Sequence, residues 1–252
     1  MPRRVKLVAC PNLLIELVAL FPKASGDMPR LLSFRHVLLF GVALNLCLIV
    51  VRVWSYRPLW AMPGALRFIV EPIIGLAGCG LFVVAATAGK QRERLDELRL
   101  ATAWGMTGGV LLVVHMALEN FGRHVGENAG ITLAFMVTTF LLWAVTGFVV
   151  ARNTASILLG CRAGCWSAVV SVLVAVTFGF VLMFFDVPSL DYVAIWPEFK
   201  QSGWTDVQAF AIANTLDAGF SHLLAGLVLG SLFGAIGGGL ARLWPKHPVT
   251  AS

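Results

Sequence analysis

The chain has 252 residues, of which 58% are hydrophobic and 13% charged, with a mean hydropathy of +0.84 and a formal net charge of +6. A soluble domain needs about a quarter of its residues charged to cover its surface, so a water-soluble globular protein is excluded and the lipid bilayer is the expected surrounding. The excess cations flank apolar runs instead of gathering on one polar face, which argues against nucleic acid as a partner and for anchoring at lipid headgroups.

Residues 1–27 form an N-terminal extension. Val5–Phe21 is moderately apolar but is broken by Lys6, Pro11, Asn12 and Glu16, so no span is expected there. Leu7-Val8-Ala9-Cys10 matches a lipoprotein cleavage box, but no adequate hydrophobic region precedes it, and we read the match as chance. Met28-Pro29-Arg30 repeats Met1-Pro2-Arg3, which makes Met28 an alternative start; otherwise the extension is an interfacial helix or disordered.

Runs free of Asp, Glu, Lys and Arg then follow at His36–Val51, Pro72–Gly89, Leu100–Leu118, Asn128–Ala151, Ala163–Phe185 and Ala218–Ala241. A helix crosses the hydrocarbon layer with about 20 apolar residues, and cationic side chains at its ends snorkel outward. The expectation is an all-α membrane protein, a bundle of six transmembrane helices over residues 28–245. Its spans are placed near 34–54, 67–89, 99–119, 129–151, 163–185 and 214–241, and a cytoplasmic tail covers 246–252. Lys90–Arg99 reads KQRERLDELR, mixed charges at helical spacing that prolong the second or third helix into the cytoplasm.

Orientation follows from the cations, since short cytoplasmic loops hold excess Lys and Arg. With the N-terminus inside, fourteen of the 19 lie on inner segments, and Arg52, Arg57, Arg67, Arg123 and Lys200 lie outside. Both termini are therefore expected in the cytoplasm of a cell with a bacterial-type inner membrane. Trp54, Trp60, Trp196 and Trp204 fall near the outer boundary, and Trp104, Trp166 and Trp244 near the inner one, as interfacial aromatic belts do; Trp143 falls deeper.

In the last span Gly226, Gly230, Gly234 and Gly238 recur every fourth residue, a small-xxx-small ridge for close helix approach. An internal partner is preferred, either the second span with Gly75 and Gly78 or the third with Gly105, Gly108 and Gly109. A homo-oligomer or another membrane protein docking on the ridge is the alternative.

Polar residues on the same three spans mark the candidate site. Glu71, His115, Glu119, Asn214, Asp217 and His222 all fall in the outer third of the membrane. His115 and Glu119 are spaced i, i+4 and project from one helix face. Asp217 and His222 are separated by about 140° around their helix, so they face different neighbours. Three readings compete for this layer. In the first the acids are interfacial and the histidines hydrogen-bonded, and the chain is a structural, assembly or transport-related membrane component. In the second His115, Glu119 and His222 bind a metal, or the two histidines a haem, in a redox protein. In the third Glu71, Glu119 or Asp217 carries protons for a small-solute transporter. The first takes precedence.

The segment Asp186–Val207 reads as an amphipathic outer cover, with a turn at Ser202-Gly203 and a cap for the sixth helix at Thr205-Asp206. Cys47, Cys79, Cys161 and Cys165 fit no redox or metal spacing, and no catalytic residue is assigned: the chain has neither a GxSxG elbow nor a phosphate-binding glycine loop.

Overall fold

In hydrocarbon a peptide group finds no water, so an apolar run satisfies its own backbone by becoming a helix. A computed structural model describes residues 34–87, 93–121, 129–185 and 193–244, all within one compact unit. The N-terminal extension, the Met28 start, Lys90, the loop around Arg123, the acids Asp186 and Asp191, and the 246–252 tail lie outside the described residues.

The helices are α1 Phe34–Ser55, α2 Ala65–Thr87, α3 Glu93–Phe121, α4 Ala129–Thr154, α5 Ile157–Leu182, the short α6 Pro197–Ser202, and α7 Val207–Leu243. A 3₁₀ turn covers Arg57–Ala61. All except α6 are long and apolar enough to cross a membrane, and no strand occurs among the described residues. Six helices of spanning length thus stand where six spans are expected, and side-chain caps set the starts of two of them. α7 begins at Val207, well before residue 214, because the Asp206 carboxylate accepts from Ala209 N–H at 2.8 Å. α5 begins at Ile157 because the Ser156 hydroxyl accepts from Leu159 N–H. α3 takes in the charged segment from Glu93, as its helical spacing predicts.

Between α4 and α5 only Ala155 and Ser156 intervene, and the turn requires φ 57° at Ala155. A side chain in this left-handed region is strained. Ala155→Gly should therefore stabilise the protein by about 1 kcal/mol, strain relief outweighing the added chain entropy. Thermal unfolding in detergent checks this; a lowered midpoint would sink it.

α5 is the axis of the bundle. Of its most apolar window 72% is buried, against 22 to 33% in the other spans. α3, α4 and α7 pack around it, α2 lies against α7, and α1 lies against α2 and α5. Glycine allows these approaches at backbone distance. A Cβ on Gly105 would stand 2.6 Å from the Ser167 carbonyl oxygen of α5, and one on Gly109 would stand 2.8 Å from Val174 Cβ. On α7, a Cβ on Gly226 would meet Val172 at 2.9 Å, and one on Gly234 would meet the Gly160 and Cys161 carbonyl oxygens at 2.8 and 2.9 Å.

The last-span ridge thus has its partner inside the chain, but the expected partner is corrected. It is the fifth span, with help from the fourth, and neither the second nor the third. Gly147 of α4 meets the Gly234 backbone, and Gly237 of α7 meets the Ala144 carbonyl. A step of four residues overshoots the helical period by about 40°, so the glycine stripe winds from the α5 side toward α4 as it descends. The second and third spans use their glycines elsewhere: Gly75 sits under Phe220 and Leu223 of α7, and Gly105, Gly108 and Gly109 sit against α5.

Tryptophan placement also departs from expectation. Trp54, Trp60 and Trp244 are exposed, as a belt requires. Trp104, Trp166 and Trp204 are buried. Trp166 is wholly enclosed and donates its indole N–H to Thr102 Oγ1 at 2.9 Å, while Trp204 fills an aromatic cluster with Phe68 and Phe210. Distance from the span's end sets only depth; the helix face sets whether lipid or protein surrounds the ring.

Candidate functional site

The connections preceding α2, α4 and α7 define one end of the bundle, called the α6 end. There Arg67 and Glu71, one turn apart on α2, form an ion pair at 2.8 Å, and Arg67 also feels the charge of Asp217 on α7. α2 and α7 run parallel, and Gly75 lies under Phe220 and Leu223, which puts Glu71 level with Asp217 one turn earlier. The second Glu71 oxygen, Oε2, is buried with no hydrogen-bond partner. Over this group lies an aromatic cluster: Trp204 meets Phe68 and Phe210 edge-on at 5.8 Å, and Phe199 of α6 meets Phe210 at 5.3 Å. Gly203 closes α6 with φ 72°, the turn expected at Ser202-Gly203.

His115 and Glu119 face away from this group, toward α4. His115 Nε2 stands 3.2 Å from both the Glu119 carboxylate and Thr132 Oγ1, and its ring packs 5.2 Å from that of Phe135. His222 is exposed and turned back on its own helix, its Nδ1 2.6 Å from the Ala218 carbonyl oxygen. It misses the buried glycine face because at that level Gly219 and Leu223 take the inward positions. Asn214 is exposed.

The six expected site residues therefore divide. Glu71 and Asp217 are brought together with Arg67, His115 and Glu119 are joined on the α3–α4 side, and Asn214 and His222 face outward. The metal trio His115, Glu119 and His222 is not assembled: among the described residues no three His, Cys, Asp or Glu side chains form a group that could hold a metal ion. The physical reason is the placement of α5. α3 packs on its Ser167–Val174 face and α7 on its Cys165–Val172 face, roughly a third of a turn apart, so residues at equal depth on α3 and α7 are turned to different neighbours.

Polar residues that the sequence reading passed over tie the bundle together. Asn45 of α1, fully buried, donates to Thr177 Oγ1 of α5 at 2.8 Å and to the Gly41 carbonyl at 2.9 Å. Ser171 of α5 reaches the Gly105 carbonyl of α3 at 2.9 Å and lies 3.2 Å from the Trp143 indole nitrogen of α4, linking three helices. The available signal was cost: an Asn inside an apolar run must find a partner. At the α6 end the Tyr56 hydroxyl, after α1, donates to Asp206 at 2.9 Å. Burial first, and this bond second, push the Tyr56 phenol up to about 12, so it stays a donor throughout the physiological range.

These arrangements give interhelical fasteners, one ion pair at Arg67–Glu71 and one histidine–carboxylate contact at His115–Glu119 toward the α6 end. Compared with known protein families, with curated proteins and with solved structures, the chain matches none of them.

Proposed function

We propose that this chain is a structural or assembly component of a bacterial inner membrane, both termini in the cytoplasm, with its α6 end on the outer side. One observation carries the reading: glycine contacts and side-chain hydrogen bonds fasten α1, α3, α4 and α7 to α5, and α2 packs on α7, while the ionisable residues expected to share a site do not converge on one pocket. The excess of cations on segments alternating with the α6 end supports the orientation.

A proton-coupled role is the second reading, favoured by the buried, unpartnered Glu71 Oε2 beside Arg67 and Asp217. One set of experiments separates the two. Reporter fusions at both ends should report the same compartment; opposite compartments would overturn the orientation. In proteoliposomes, an imposed pH gradient should decay at the same rate with wild-type protein and with Glu71→Gln, Glu119→Gln and Asp217→Asn. A proton leak specific to the wild type and abolished by Glu71→Gln would replace the structural reading with the coupled one. A haem absorption band lost in His115→Ala would overturn both.

A further inference from the structure

The last turn of α1 carries a cation that no carboxylate among the described residues pairs with. Arg52 is half-buried, its guanidinium carbon 5.3 Å from the Tyr56 ring centre and 5.5 Å from that of Phe184 beyond α5. The two rings hold the guanidinium by cation–π contact, and its Nε is buried with no hydrogen-bond acceptor. Among the described residues the carboxylate that this chain of contacts reaches is Asp206, and it is already used. Both of its oxygens lie 2.9 Å from the Tyr56 hydroxyl, and Oδ1 also caps α7 through Ala209 N–H at 2.8 Å. Among the described residues no ion pair joins Arg52 to a carboxylate.

A guanidinium at a membrane boundary, shielded on the protein side, completes its bonding outward. We infer that Arg52 anchors a phospholipid: Nη1 and Nη2 take two oxygens of a lipid phosphate, whose chains run along the exposed apolar side chains Val51, Phe184 and Phe185 beside it. The planar fork matches phosphate oxygens pairwise, and a ring-held fork loses less freedom on binding than a free side chain. The ligand chemistry is a phosphate mono-anion or diester; the bilayer is its source because Arg52 sits in a span's last turn, at headgroup depth. Arg57 provides a contrast at the same boundary. It lies 4.4 Å over the exposed Trp54 ring and is itself exposed, so water satisfies it.

The site rests on the multi-pass reading, which a separate measurement tests: the chain must stay with membranes washed in alkaline carbonate, and release into the wash would defeat that reading alone. The lipid site is tested by native mass spectrometry of the full chain in detergent. Phosphatidylglycerol is the probe, and diacylglycerol of the same acyl chains is the headgroup-free control. Wild-type protein should retain phosphatidylglycerol about tenfold more tightly than Arg52→Gln, the size expected for one charged hydrogen-bonded contact. Arg57→Gln should match the wild type, and Arg52→Lys, which keeps charge without the fork, should fall between. Equal retention by wild type and Arg52→Gln would overturn the proposal, because the guanidinium is then satisfied by water or within the chain. Displacement of the lipid by inorganic phosphate at low millimolar concentration would overturn the lipid as source. Should Arg52→Gln fail to accumulate, the wild type alone decides: phosphatidylglycerol must raise its Tm where diacylglycerol does not, and equal shifts would sink the site.

Discussion

Gly234→Ala should destabilise the bundle by about 3 kcal/mol, near the upper end for overpacking, because the added methyl group meets backbone on every side and nothing there is the free end of a side chain. Its nearest neighbours would be the Gly160 carbonyl oxygen at 2.8 Å, the Cys161 carbonyl oxygen at 2.9 Å and Gly164 Cα at 2.9 Å. To admit it, α7 must move away from α5, and the contacts of Gly230 with Ala168 of α5 and of Gly234 with Gly147 of α4 are disturbed with it. The same substitution a few residues on is graded by space. Gly238→Ala finds its nearest atoms at 3.3 Å and should cost little, and Gly239→Ala meets nothing within 4 Å and should be neutral or slightly stabilising. Gly237→Ala should behave like Gly234→Ala, since the Ala144 carbonyl lies in its way. Denaturant titration in micelles gives the series, and similar losses at 234 and 239 would mean that α4, α5 and α7 do not meet at backbone distance.

Trp166→Ala should cost about 4 kcal/mol, as for a large ring deleted from a close-packed interior. The ring is wholly enclosed, tilted against Phe82 at 6.2 Å, and its N–H is held by Thr102. Trp244→Ala, at an exposed ring near the same end of the bundle, should change stability by less than about 0.5 kcal/mol. The pair separates a core indole from an interfacial one, two roles that hydropathy treats alike. Trp166→Phe refines the result: it keeps most of the apolar volume and removes one interhelical hydrogen bond, worth about 0.6 kcal/mol in membrane proteins. Equal effects of Trp166→Ala and Trp244→Ala would place Trp166 at the lipid boundary and refute the packing described above.

The spans were legible because the requirement behind them is one-dimensional: a stretch of backbone without water must bond to itself, and length with composition reveals it. Local signals also read correctly. Asp206 caps α7, Gly203 supplies the left-handed turn after α6, and His115 and Glu119 share a face at one-turn spacing. What could not be read was which helix stands next to which. α5 is apolar around its whole circumference, so no periodicity betrays that it is the axis. The every-fourth glycines announce a close contact without naming the other side, and Gly237, off that register, gives no signal in the sequence although it is at least as tightly enclosed as Gly234. The same ignorance of neighbours merged two separate polar groups into one site. Equal depth was inferred from position along each span, but azimuth depends on packing, and α5 turns His115 and His222 toward different surroundings.

α5 leaves the ribosome before α7 exists. On arrival in the bilayer its Gly160, Gly164 and Ala168 surface has no helix to meet, and acyl chains must cover it until the last segment is made. Its high apolarity, little used for facing lipid once the protein is finished, is what lets it wait there. In the finished bundle that surface is closed by α7, which lies in the groove between α4 and α5. A chain truncated before Val207 would leave that groove open, with Gly160, Gly164 and Ala168 uncovered.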